Sequence, residues 1–167
     1  GAGALGNFVG LSSTLSNVER IDIMDFDEVD STNLNRQILF YDAVGQQKSS
    51  ALVQKLKSIN PNTEINAIDD KVDHNLRYFN QNSPDLIYDC VDSFAARAYI
   101  NYFAVRNNIP LVSGGTNPRS GQVVAYQPEY SACLDCKLGV ETALAKELKA
   151  ASCKFAPDPS VIMTNQV

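Results

Sequence analysis

Gly1-Ala-Gly3-Ala-Leu-Gly6 opens the chain, and its spacing is that of a G-x-G-x-x-G turn at the entrance to a helix. Glycines there permit a tight turn and a close approach of backbone N–H groups to phosphate, and the helix N-terminus favours negative charge. The motif carries weight only in company. Asp25, 19 residues beyond Gly6, stands where such folds place an acid on the ribose hydroxyls. Together the two point to a nucleotide site, whereas the glycines alone would serve equally to pack a helix on a sheet. The turn also calls for a strand before it, and none precedes Gly1. The chain therefore reads as a domain cut at its start.

Outward from the turn, residues 4 to 16 can run as a helix with Leu5, Phe8, Val9 and Leu15 forming its apolar face. Arg20-Ile-Asp-Ile-Met-Asp25 alternates and reads as a strand ending in an acidic loop. Residues 26 to 47 carry no sustained period, and so long an irregular stretch inside a domain is usually functional. Leu52, Leu56 and Ile59 mark a second helix that Asn60-Pro61 stops. Glu64 to Ile68 alternates as a strand, residues 73 to 81 hold a short helix, and Asp85 to Asp89 is a strand entering Cys90-Val-Asp92-Ser93. Ser93 is placed to cap a long helix through Asn107, with Phe94, Ala98, Ile100, Tyr102 and Val105 on its buried side. Strands follow at Pro110 to Gly115 and Gly121 to Tyr126, then a polar helix around residues 140 to 150 and a Pro-rich joint at Pro157 and Pro159. Strands alternating with helices imply βαβ units, hence an α/β fold with a mostly parallel sheet covered on both faces.

Composition narrows the chemistry. Fourteen Lys and Arg against nineteen Asp and Glu leave a formal charge of −5, which argues against a nucleic-acid surface, because phosphate neutralisation needs a basic face. No apolar run approaches the roughly 18 residues of a membrane-spanning helix, so no membrane role is expected. One histidine, His74, makes Ser-His or Cys-His catalysis and a His-rich metal site poor candidates. Four cysteines in 167 residues are not the disulfide framework of a small secreted domain, and no signal peptide is visible, which favours a cytoplasmic setting.

What remains is Gly, Asp, Arg, Lys and Cys. Thr32-Asn33-Leu-Asn35-Arg36-Gln37 lies in the irregular stretch, and Gly45-Gln-Gln-Lys48 leads into the second helix. A dehydrogenase binding a dinucleotide would need no further cations, but Arg36 and Lys48 are placed to converge on a triphosphate, stabilising charge that develops in nucleotidyl transfer. As isolated residues both would be solvated surface charges. Asp92, just past another strand on the same sheet edge, can hold Mg²⁺ beside phosphates.

GAGALG, IMDFDEVDSTNLNRQ, VGQQK, DCVDS, SGGTNPRSGQV and CLDC, in this order, resemble the ThiF/MoeB superfamily, which includes the ubiquitin-activating enzymes. The resemblance runs from Gly1 to about Cys153, and the DFD…NLNRQ block is its most specific part. It implies a Rossmann-like doubly wound domain over residues 1–167, cut at both ends, with a crossover segment at 127–167 carrying half of a zinc site. It also implies ATP- and Mg²⁺-dependent adenylation of the C-terminal glycine carboxylate of a ubiquitin-like or sulfur-carrier protein, with pyrophosphate released. In some members acyl or sulfur transfer follows.

Carried over by position, the resemblance implies that Gly3, Ala4 and Gly6 shape the nucleotide turn and that Asp25 binds ribose. Asn33, Arg36 and Lys48 would contact phosphates, and Asp92 would serve Mg²⁺ and ATP. Ala4 stands where a glycine is common, and Ser93 where an asparagine is frequent, which puts a nucleotide contact by Ser93 in question. Relatives also bring an arginine from a segment before the glycine turn, commonly across a dimer interface, so a homodimer or heterodimer is expected. Cys133 and Cys136 match the first of two Cys-x-x-Cys pairs that hold structural Zn²⁺ in many members; the second pair is absent from this chain, making zinc conditional on a further segment. A redox dithiol is the competing reading. Cys153 aligns with a cysteine that carries an acyl thioester or persulfide in some relatives, against a structural cysteine in others. Burial after an apolar strand accounts for Cys90.

Two other classes stay open. An NAD-binding oxidoreductase would use the glycine turn and Asp25 but leave the DSTNLNRQ block without a task. An inactive scaffold subunit of a heterodimeric activating enzyme would have no need of Asp25, Arg36, Lys48 and Asp92.

Overall fold

Arg20-Ile-Asp-Ile-Met alternates polar and apolar residues, and it forms β1 (Arg20–Met24) of the first of two units, Gly1–Lys71 and Val72–Val167. The computed structural model describes residues 1–75, 77–117 and 119–140. In the first unit, α1 (Ala4–Leu15) precedes β1, two short 3₁₀ turns (Ser31–Asn33 and Ile38–Phe40) follow, and α2 (Lys48–Ile59) leads into β2 (Glu64–Ile68). β1 and β2 pair in parallel, Arg20 beside Glu64 and Asp22 beside Asn66, as a βαβ crossover requires. Ile23 and Ile65 meet Leu52, Leu56, Val29 and Phe40 in the core. Full burial of leucines such as Leu52 and Leu56 contributes roughly 2 kcal/mol each. On the alternate strand positions lies a polar ladder: Arg20 bonds Asp22 and approaches Glu64, while the Asn66 amide donates to both Asp22 and Glu64.

The expected apolar face of α1 is not the one the helix buries. Phe8 and Leu15 are 53 % and 64 % exposed, and the buried residues are Gly6, Asn7, Gly10 and Thr14. The cause is close approach to α2, where a Cβ on Gly10 would lie 3.0 Å from Leu56 Cδ1. Small residues make this contact, so hydrophobic periodicity selects the wrong side. Ile59, expected in the core from α2, is exposed at the helix end, just before the Asn60 stop.

The second unit contains α3 (Arg77–Gln81), β3 (Ile87–Asp89), α4 (Phe94–Arg106), β4 (Leu111–Asn117), β5 (Ser120–Tyr126) and α5 (Leu134–Leu138). β3 and β4 are parallel and joined through α4, and β5 returns antiparallel to β4. Ile87, Ile100, Phe103, Leu111 and Leu134 form its core. Ser93 caps α4 as its sequence predicts, accepting from the Ala96 N–H. Ala98 and Ile100 are buried, but Phe94 and Val105, expected beside them, are exposed at the two ends. Arg97 and Asn101 are buried in that helix instead. Among the described residues, no helix is long and apolar enough to cross a membrane. Of the polar helix expected near residues 140 to 150, all but residue 140 lies outside the described residues.

Candidate functional site

In the first unit the glycine turn delivers the chain into α1 with Gly3 at the N-cap, extended at φ −67° and ψ −155°, and no side chain caps the helix. The first-turn N–H groups of a helix lack partners within it, and here no acidic side chain stands among them. A Cβ on Gly3 would meet only Gln37 Nε2, at 3.9 Å, an ordinary contact. With negative φ and space for a side chain, the protein itself does not require glycine at position 3. Close approach of a ligand to the backbone would.

Asp25 follows β1 and is half-buried. Its Oδ2 accepts the Ala2 N–H at 2.6 Å and its Oδ1 accepts the Asp27 N–H at 2.9 Å. Asp25 thus holds the glycine turn directly. Each carboxylate oxygen retains a lone pair able to accept a hydroxyl.

Asp27 continues the chain of contacts. Its backbone oxygen accepts the Lys48 N–H, and its carboxylate takes Lys48 Nζ at 2.8 Å. Lys48, the first residue of α2, is almost enclosed, so its ammonium is fixed rather than loose. Asp27 is a residue the sequence reading passes over. Its signal was the acid two places after Asp25, one alternation further along an extended segment.

Asn33 and Arg36 have local partners. Asn33 Oδ1 accepts the Asp30 N–H while Asp30 accepts the Thr32 N–H, a reciprocal cap on the first 3₁₀ turn. The Thr32 hydroxyl and N–H hold the Asp30 carboxyl below the usual carboxylate range. Arg36 is exposed, and its Nη1 donates to Thr32 O and Asn35 Oδ1, leaving further guanidinium donors for an anion. Gln37 is buried beside the glycine turn with Oε1 unpartnered. Such a group is costly unless something completes its bonding.

The second unit carries Asp92 and Ser93 on the loop from β3 to α4. Asp92 is exposed, while Ser93 is committed to capping α4. Below this loop lies a buried network that the sequence reading did not identify. Asp89 Oδ2 accepts the Ser113 hydroxyl at 2.6 Å and lies 3.4 Å from Arg97 Nε. Arg97 donates to Ser113 Oγ, Val91 O and Gly114 O. Its signal was an arginine in an apolar helix, eight positions after the acid ending β3. Cys90, beside Asp89, has its thiol pushed up by burial, which accords with an unreactive structural cysteine.

Cys133 stands at the N-cap of α5, and Cys136 is exposed one turn on, their sulfurs 3.8 Å apart. Burial pushes the Cys133 thiol up, but bonds with Cys136 and Asn101 outweigh it and hold the thiol below its ordinary value. The bond to Cys133 raises the Cys136 thiol. Two thiolates on one tetrahedral zinc at about 2.3 Å stand about 3.8 Å apart, so this pair fits half of a zinc site. Among the described residues no cluster of three or more His, Cys, Asp or Glu is placed for a metal. Cys153 lies outside the described residues.

The profile of the ThiF family matches residues 1–162. The adenylyltransferase and sulfurtransferase UBA4 of Meyerozyma guilliermondii is 36 % identical over 143 residues, covering 81 % of this chain and 32 % of that protein. The SUMO-activating enzyme subunit uba-2 of Caenorhabditis elegans is 28 % identical over 140 residues, 81 % of this chain and 24 % of that protein. The crystal structure of E. coli MccB with ATP superposes with a TM-score of 0.76 at 23 % identity, covering 97 % of this chain and 49 % of MccB, a likeness of fold. The chain thus spans a quarter to a half of the length of these proteins.

Proposed function

This chain belongs to the ThiF family, and from that premise we propose that it is the nucleotide-binding part of an adenylyltransferase, activating the C-terminal glycine carboxylate of a ubiquitin-like or sulfur-carrier protein with ATP. The observation that carries the reading is the uncapped start of α1, with Gly3 open to close approach, Asp25 bonded to Ala2, and buried Gln37 unpartnered alongside. The names of UBA4 and the SUMO-activating subunit support the class of reaction and partner.

In this reading Gly3, Ala4 and Gly6 offer backbone to the phosphates and Asp25 accepts the ribose hydroxyls. Asn33 contacts the phosphates through its neutral amide, and Arg36 and Lys48 neutralise charge along the triphosphate. The substrate carboxylate, already ionised at neutral pH, attacks the α-phosphorus; the bond to the bridging oxygen breaks and pyrophosphate leaves. Orientation and charge stabilisation carry the rate, and no general base is needed. Asp92 is a suitable carboxylate ligand for Mg²⁺, which would neutralise phosphate charge. Cys133 and Cys136 would supply two thiolates of a structural Zn²⁺ completed by another pair. Cys153 is proposed as an acyl or sulfur acceptor. Residues 1–167 would serve as one nucleotide-binding domain, acting as a homodimer or heterodimer in the cytoplasm.

The test is exchange of labelled pyrophosphate into ATP by the full-length protein, with a partner ending in glycine. Exchange is expected to depend on that carboxylate and to fall about 10²-fold in Arg36→Ala, the magnitude typical of losing one transition-state charge contact. No exchange with any glycine-ended partner would refute the proposal. Nicotinamide-cofactor binding indifferent to Arg36→Ala would favour the oxidoreductase, and binding of neither nucleotide nor Mg²⁺ the scaffold.

A further inference from the structure

Asn7 is an unusual residue to find where it is. It lies in the second turn of α1 with no exposed surface, where asparagine is a poor helix former and an unpaired amide is costly. All of its side-chain polar atoms are used. Nδ2 donates to Ala2 O at 2.8 Å and to Gly3 O at 3.1 Å, and Oδ1 accepts the Leu39 N–H at 3.0 Å.

The far end of this bridge has a specific task. Leu39 lies in the first turn of the second 3₁₀ segment (Ile38–Phe40), whose N-cap is Gln37. The Gln37 side chain makes no capping bond, so the orphan N–H at Leu39 is satisfied by Asn7, 32 residues away in sequence. One amide therefore closes the glycine turn on one side and caps the segment that follows Arg36 and Gln37 on the other.

We infer that Asn7 is a positioning residue that fixes Arg36 and Gln37 against the glycine turn, so that the backbone donors and the cationic segment meet a triphosphate as one preorganised unit. The inference rests on the nucleotide reading above. Asn7 need not touch the nucleotide. Its effect on affinity should grow with the number of phosphates, because the nucleoside does not need the Arg36 segment.

The experiment is calorimetric titration of the full-length protein and its Asn7→Ala variant with ATP and with adenosine, below the unfolding temperature. Leu39 amide exchange is followed in parallel. Asn7→Ala is expected to weaken ATP about 10- to 100-fold, the scale of a displacement of about 1 Å at a binding group. Adenosine should change less than about 3-fold, and Leu39 should lose protection. In an Arg36→Ala background the same substitution should cost far less, since the group being positioned is gone. Should Asn7→Ala fail to fold, Asn7→Ser serves: its hydroxyl can bond the Gly3 carbonyl as Thr14 bonds Gly10 but is too short to bridge to Leu39, and the same ATP-selective loss is expected. ATP affinity unchanged while Leu39 protection falls, or equal losses for ATP and adenosine, would overturn the positioning role alone. Wild-type protein that binds neither compound would overturn the nucleotide reading and this inference with it.

Discussion

Lys48 and Asp27 form a pair of unequal partners, the lysine side chain 10 % exposed and the aspartate 49 %. Removing the exposed partner should therefore matter more for stability than removing the enclosed one. Asp27→Ala leaves an ammonium enclosed without its counter-charge, and we expect a loss of about 1–2 kcal/mol. That lies below the several kcal/mol of a fully buried pair, because half of this one is screened by solvent. Lys48→Met replaces charge with a stem of similar volume and should stay within about 1 kcal/mol, while nucleotide binding is lost. Urea unfolding of both variants separates the two cases. The residues that can be read from sequence here are those with a fixed offset from the glycine turn, such as Asp25. Asn7 and Arg97 escape notice because their partners are distant in the chain, and no local spacing announces a bond from Asn7 to Leu39 or from Arg97 to Gly114.

At the scale of elements, α1 and α2 pack through Gly10, whose absent side chain accommodates Leu52 and Leu56. Both leucines are fully buried and have little room to give. Gly10→Val adds a branched side chain to this seam, and overpacking should outweigh the gain in helix propensity, destabilising the protein by about 2 kcal/mol. A lowered denaturant midpoint with unchanged slope is the expected signature. The strands and helix boundaries are legible because alternation, the Ser93 cap and the Asn60-Pro61 stop act within a few residues. The buried side of α1 is not, because a face of Gly6, Asn7, Gly10 and Thr14 carries no hydrophobic signal. What selects it is the shape of α2, known only once the helices are packed.

For the whole molecule, ligand linkage gives the broadest measurement. If ATP binds the folded chain alone, a hundredfold excess over its dissociation constant should add about 2.7 kcal/mol, a rise in melting temperature of roughly 5–10 °C for a chain of this size. Arg36→Ala should shrink the rise, and a nicotinamide dinucleotide should not reproduce it. The α/β class was legible at this scale because strand and helix periods alternate along the chain. The antiparallel return of β5 was not, since its alternation resembles that of a parallel strand and only its short connection to β4 distinguishes it.

The polar ladder across β1 and β2 has a consequence for how the strands find each other. Sliding β1 by two residues would preserve which side chains face the core, so hydrophobic burial alone does not penalise that slip strongly. Such a slide in one direction sets Asp22 against Glu64, two carboxylates on adjacent strands, in place of the native neighbours Arg20 and Glu64. The ladder thus works as an error check on assembly. Its charges distinguish the correct alignment from the nearest wrong one, and errors at that step would displace Asp25 from the turn it holds.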